Sequence, residues 1–187
     1  MINSCVEAIV LAGGQSRRMG RNKALLPFGG YETLVEYQFS RLAASGLFAA
    51  VRVSIKESEL PFDAPVVRDR CTDFAPIFAI VAALSSTPFD RVFFIAVDTP
   101  FFDEEAIATL LARPEPAAVA RSASGDHPLC GVYERTLLPH FQRSIANGDL
   151  AIKSVLETID TGYANFDDAL LANLNTREEY AAALLRK

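Results

Sequence analysis

An apolar run, Ala8 to Leu11, stops at two consecutive glycines, Gly13-Gly14, and the following stretch carries Arg17, Arg18, Arg21 and Lys23. No acidic residue occurs between Ala8 and Tyr31. Such a run, bounded by glycines, reads as a buried strand that breaks into a tight loop. Glycine carries no Cβ, so its backbone N–H is open to close approach, and successive open N–H groups form an anion-binding concavity. With four cations beside it, the loop suits a polyphosphate better than a single weak charge. It is not a P-loop, because Gly20 is followed by Arg21, and the spacing Gly-x-Gly-x-x-Gly is absent.

The basic cluster is local, since the chain as a whole has a formal net charge of −5. That balance argues against nucleic acid as a partner, which calls for a broad basic surface. A length of 187 residues, half of them apolar, predicts one domain spanning 1–187 with a sizeable core. Cys5, Cys71 and Cys130 form no Cys-x-x-Cys pair, and their odd number argues against a disulfide framework. They read as reduced thiols, mostly buried, in a cytoplasmic protein. No stretch approaches the ~20 apolar residues of a membrane span, and no signal-peptide pattern opens the chain.

Taken in order, Val6–Leu11 is the first strand. Thr33 caps a helix that ends at Gly46, with Glu36 at the capping-box position. Val51–Ile55 and Val66-Val67 are strands. Ala75-Pro76 opens a helix that is apolar all round, and proline suits its first turn. Val92–Val97 is the most apolar strand and should be central. Asp103 caps a helix through Leu111. Strands at 117–121 and 129–133 follow, with Ser124-Gly125-Asp126-His127-Pro128 read as the loop between them. Helices at 136–147 and 151–157, an edge strand at 163–166 and a last helix opened by Thr176-x-x-Glu179 complete the chain. This alternation predicts an α/β fold: a mostly parallel sheet with helices on both faces.

Open sheets of this kind bind ligands beyond the carboxyl ends of their strands. Asp98 stands there, at the end of the central strand, and is a candidate Mg²⁺ ligand, because Mg²⁺ takes one or two carboxylates plus substrate phosphates. Asp69 ends another strand at the same edge; beside Arg68 it also reads as half of a surface ion pair. His127 has no second His or Cys at metal-ligand spacing, and no Ser-His-Asp arrangement is evident. Asn173 and Asn175 stand just before the last helix, where asparagine is a strong cap, and capping is the plainer reading for at least one of them.

The stretch Leu11-Ala12-Gly13-Gly14-x-Ser16-x-Arg18-Met19-Gly20-x-x-Lys23 resembles the signature of sugar-nucleotidyltransferase-like enzymes, and most of all that of the molybdenum cofactor guanylyltransferase (MobA) family. The resemblance continues through Asp98-Thr99-Pro100, Asp126-His127-Pro128 and Asn173-x-Asn175-Thr176. It implies a Rossmann-like three-layer sandwich of the nucleotidyltransferase type. It implies transfer of GMP from GTP to the molybdopterin cofactor, giving a guanine dinucleotide cofactor and pyrophosphate. By the same resemblance Leu11, Ala12, Gly13 and Gly14 line the base and ribose side of the pocket. Arg18 and Lys23 hold phosphates, Asp98 holds Mg²⁺, and Asp69 lies where the family contacts the guanine nucleotide. Ser54 replaces a family asparagine, which weakens that contact, while Asn173 and Asn175 are within reach of the second substrate. Molybdoenzymes and other cofactor-biosynthesis proteins are implied partners.

The chain also departs from the family at Ala75-Pro76-Ile77-Phe78-Ala79, where alanines replace both glycines of Gly-Pro-Leu-x-Gly; a positive φ at either place would be strained. Two other readings stay open: a nucleotidyltransferase that uses CTP or another nucleotide with a pterin or sugar-phosphate acceptor, and a non-catalytic nucleotide-binding regulator.

Overall fold

The computed structural model describes residues 5–13, 22–56, 59–69, 71 and 75–186. Of the predicted site residues, Gly14 and Arg18 lie outside these.

Seven strands form one sheet: β1 (Val6–Leu11), β2 (Ala50–Ile55), β3 (Val66–Arg68), β4 (Arg91–Ala96), β5 (Ala117–Ser122), β6 (Gly125–Glu134) and β7 (Thr161–Asn165). Their order across the sheet is β3-β2-β1-β4-β6-β5-β7. β1, β2, β3 and β4 run parallel, β7 runs parallel to β5, and β6 is antiparallel to both its neighbours. The apolar β4 is central, with Val92 to Ile95 fully buried. Strand periodicity sends alternate side chains to opposite faces. Ala8, Val10, Phe93 and Ile95 therefore join one core, with α1 (Leu34–Ala44), and Ile9, Val92 and Phe94 join the other, with α2 (Pro76–Ser86). α3 (Glu104–Leu111) and α6 (Arg177–Leu184) contribute to the first layer; α4 (Leu138–Ala146) and α5 (Ile152–Leu156) contribute to the second.

Local chemistry sets the helix ends. Thr33, Asp103 and Thr176 each accept a backbone N–H three residues on, and Thr176 and Glu179 form a full capping box. Pro76 occupies the first turn of α2, and Gly46 and Gly148 take positive φ just past their helices.

Two expectations need correction. Gly125 to Pro128 belong to β6 and not to a loop, with Asp126 opposite Arg121 and His127 opposite Ala120. The proline that suggests a loop falls in a bulge, where the β5 partner jumps from His127 to Gly131 and no ladder N–H is required. The cysteines are not mostly buried: Cys130 is, Cys71 is partly so, and Cys5 is exposed. Among the described residues no helix is long and apolar enough to cross a membrane.

Candidate active site

The carboxyl ends of four parallel strands open onto a cavity of about 430 Å³. Leu11, Ala12 and Gly13 line it from the end of β1; Ser54, Ile55 and Lys56 from β2; Asp69 from β3; and Ala96, Val97 and Asp98 from β4. Asn22, Lys23 and Ala24 approach from the 3₁₀ turn Lys23–Leu25. Ala75, Pro76 and Ala79 present the amino end of α2, the partly positive end of a helix dipole.

Lys23 and Asp98 meet across 75 residues of chain, the Nζ donating to Asp98 Oδ2. The same Nζ donates to Asn175 Oδ1 at 3.0 Å. Each half of this arrangement is held by the backbone. Asn22 accepts from Ala24 N at 3.1 Å and fixes the turn that carries Lys23. Asp98 O accepts from Leu174 N at 2.9 Å, and Thr99 Oγ1 donates to Asn173 Oδ1 at 2.9 Å. The segment before α6 thus straps the end of β4. Neither Asn173 nor Asn175 caps α6, because Thr176 does. A threonine already fills the cap, which frees both amides to reach across the sheet edge.

At the far side of the cavity Asp69 is buried and Ser54 is almost fully so. Asp69 Oδ1 accepts from Cys71 N at 2.9 Å, and its other oxygen lies 3.5 Å from Lys56 Nζ. Lys56 also donates to Cys71 O at 2.9 Å. Asp69 is therefore not half of a surface pair with Arg68. Lys56 is a site residue that the sequence marks only by position: a cation just past the end of β2, level with the residue that follows β3.

The remaining departures resolve simply. Ala75 is extended, with φ −126°, and Ala79 lies inside α2, so neither alanine carries the strain that replacing a glycine would bring at positive φ. Gly13 needs no positive φ either, and an added Cβ would meet Lys56 Cγ at 3.8 Å. What its missing side chain provides is open backbone at the cavity wall. His127 lies away from the cavity, with Nε2 3.0 Å from Ser122 Oγ, and burial lowers its pKa below the ordinary imidazole value. Asp126 is bound to Arg121, which lowers its pKa. The tip of this hairpin supplies no group to the cavity before Leu129.

The end of β1 at Gly13, a lysine and an acid thus converge beyond the carboxyl ends of the parallel strands, where α/β sheets bind ligands, and residues 8–163 match the model of the MobA-like NTP transferase domain. The chain belongs to the MobA-like NTP transferase family. It is 30% identical to the molybdenum cofactor guanylyltransferase of Vibrio cholerae, over 92% of this chain and 88% of that protein. It is 31% identical to a probable molybdenum cofactor guanylyltransferase of Aquifex aeolicus, over 95% and 88% respectively. The fold matches that of molybdopterin-guanine dinucleotide biosynthesis protein A from Archaeoglobus fulgidus with a TM-score of 0.79 and 22% identity, over 95% of this chain and 96% of that one. In this MobA-like chain Lys23, Asp98 and Asn175 form one cluster, which Asn173 joins through Thr99.

Proposed function

We propose that the chain is a molybdenum cofactor guanylyltransferase acting in the cytoplasm, its one domain transferring GMP from GTP to the molybdopterin cofactor with release of pyrophosphate. The observation that carries this reading is the meeting of Lys23, Asp98 and Asn175 at the mouth of a nucleotide-sized cavity. A carboxylate beside the expected phosphates gives a place for the ion that neutralises charge during nucleotidyl transfer, which supports the catalytic reading.

The acceptor is a phosphate monoester, largely ionised at neutral pH, so no side-chain general base is required. One of its oxygens forms a bond to the α-phosphorus of GTP while the bond to the β-phosphate oxygen breaks. The protein's task is alignment and charge neutralisation. Lys23, released from Asp98 when nucleotide binds, would hold the phosphates together with the open backbone of Gly13. Arg18, from the basic loop, would join it. Asp69 and Lys56 at the far end would face the base, with Ser54 between them in place of the family asparagine. Asn173 holds Thr99 and so keeps the end of β4 in place.

The residues present fit a Mg²⁺ ion. Asp98 Oδ2 and Asn175 Oδ1 already converge on one cation, the Lys23 ammonium, and both are hard oxygen donors. Among the described residues no group of three His, Cys, Asp or Glu could hold a metal by itself, so triphosphate oxygens would complete the shell. When bound, Mg²⁺ would supply charge stabilisation to the phosphoryl oxygens.

The test is incubation with the molybdopterin cofactor, Mg²⁺ and, separately, GTP, CTP and ATP, followed by mass spectrometry. The guanine dinucleotide should form from GTP. Product from CTP alone would make the chain a cytidylyl enzyme, and no product from any nucleotide would rule out the molybdopterin cofactor as the acceptor.

A further inference from the structure

Gln38 is a fully buried amide on α1 that takes no part in the chemistry above. Its Nε2 donates to Thr99 O at 3.0 Å and lies 3.4 Å from both Ala96 O and Val97 O. These carbonyls flank Asp98 on either side. The amide oxygen is occupied separately, accepting from Arg41 Nε at 2.6 Å. A glutamine amide turned by half a revolution would set its oxygen against the carbonyls, acceptor facing acceptor. Arg41 can only donate, so it excludes that orientation and keeps the N–H donors toward the Asp98 segment.

Arg41 is an unusual residue to find there. Among the described residues its Nη2 is buried with no hydrogen-bond partner, and it takes part in none of their ion pairs. Burial lowers its pKa from the ordinary guanidinium value, only partly opposed by Tyr37, Cys130, Glu104 and Asp103. An apolar side chain would avoid this desolvation cost. What the guanidinium supplies is a fixed donor to Gln38.

We propose that Gln38 and Arg41 are a positioning pair, which orients the backbone on both sides of Asp98 so that its carboxylate faces Lys23 and the triphosphate. The inference rests on the nucleotidyltransferase reading of the site and adds to it two residues that do not line the cavity.

The test compares wild type with Arg41→Met, Arg41→Lys and Gln38→Leu. The readouts are the thermal midpoint, kcat and KM, and calorimetric GTP affinity with and without Mg²⁺. In Arg41→Met the protein should stay folded with at most a small fall in midpoint, because relief of a partly buried charge offsets the donor that Gln38 loses. A displaced carboxylate should lower kcat and the Mg²⁺-dependent gain in GTP affinity by about ten- to a hundredfold, leaving metal-free affinity unchanged. Arg41→Lys, which still donates, should recover part of the loss. Gln38→Leu should show the same losses with a lower midpoint. If it does not fold, Arg41→Met decides. A folded Arg41→Met protein with wild-type kcat and a wild-type Mg²⁺ gain overturns the proposal. Wild-type protein that binds GTP and Mg²⁺ without transferring GMP would fail the catalytic reading instead, and the affinity comparison would still decide this one.

Discussion

Two of the enclosed ion pairs among the described residues, Glu7–Arg52 and Lys23–Asp98, lie toward opposite ends of the central strands and are built differently. Toward the amino end, Glu7 of β1 holds Arg52 of β2 through two bonds of 2.6 Å, and a third donor of the guanidinium reaches Ser86 Oγ at 3.0 Å. Every strong group has a fixed partner, and Ser86 ties the pair to α2. Toward the carboxyl end, Lys23 touches Asp98 through a single oxygen, is shared with Asn175, and borders the cavity. A bidentate guanidinium pair has specific planar geometry, whereas an ammonium is a point charge that changes partners easily. The first pair is suited to holding two strands and a helix in register. The second is suited to being opened by a ligand that brings its own charge. The two cations are buried alike; partner geometry, the deeper burial of Glu7 and the cavity beside Lys23 distinguish the pairs.

If that distinction is right, the two pairs should fail in different assays. Asp98→Ala should lower turnover by about a thousandfold or more, since it removes charge stabilisation at the reacting phosphates, while the thermal midpoint stays near that of wild type. Steady-state kinetics beside a thermal scan would show the separation, and a parallel fall in both would break it. Glu7→Gln should do the reverse. It leaves Arg52 without its counter-charge and should cost about 3 kcal/mol of stability in a denaturant titration, with KM for GTP unchanged. Lys23→Ala should weaken GTP binding by about a hundredfold, measured by calorimetry, with little change in stability. The smallest effect belongs to the far end of the cavity. Ser54→Asn, which introduces the asparagine that the resemblance implies at this place, should tighten GTP by about fivefold through one added hydrogen bond, and should leave ATP unaffected.

The first pair was invisible in the sequence and the second was not, for a physical reason. Lys23 and Asp98 stand at positions that fold class makes meaningful: a basic loop after the first strand, and the acid that ends the central one. Glu7 lies inside an apolar run, and its partner on β2 is set by parallel register, which no local pattern encodes. Gln38 was missed similarly, because a polar residue on an amphipathic helix reads as solvated until the loop packed against it is known. The element order and the edge strand β7 were legible from apolar runs, caps and glycines. Both strands of the β5–β6 hairpin were legible too, but the start of β6 was not, because Gly125 and Pro128 carry the composition of a loop while standing in a bulged strand. Residue type alone favours capping for Asn173 and Asn175, whereas the spacing Thr176-x-x-Glu179 assigns that role to the threonine.

The whole reading depends on a single triphosphate lying between Lys23 and Asp98. The most direct check is a crystal structure with Mg²⁺ and a GTP analogue that cannot be cleaved between its α- and β-phosphates. The triphosphate should lie against Lys23 Nζ and the open backbone at Gly13, with Asp98 turned to the metal and the guanine beside Asp69. A nucleotide bound elsewhere, with the Lys23–Asp98 contact intact, would contradict the account.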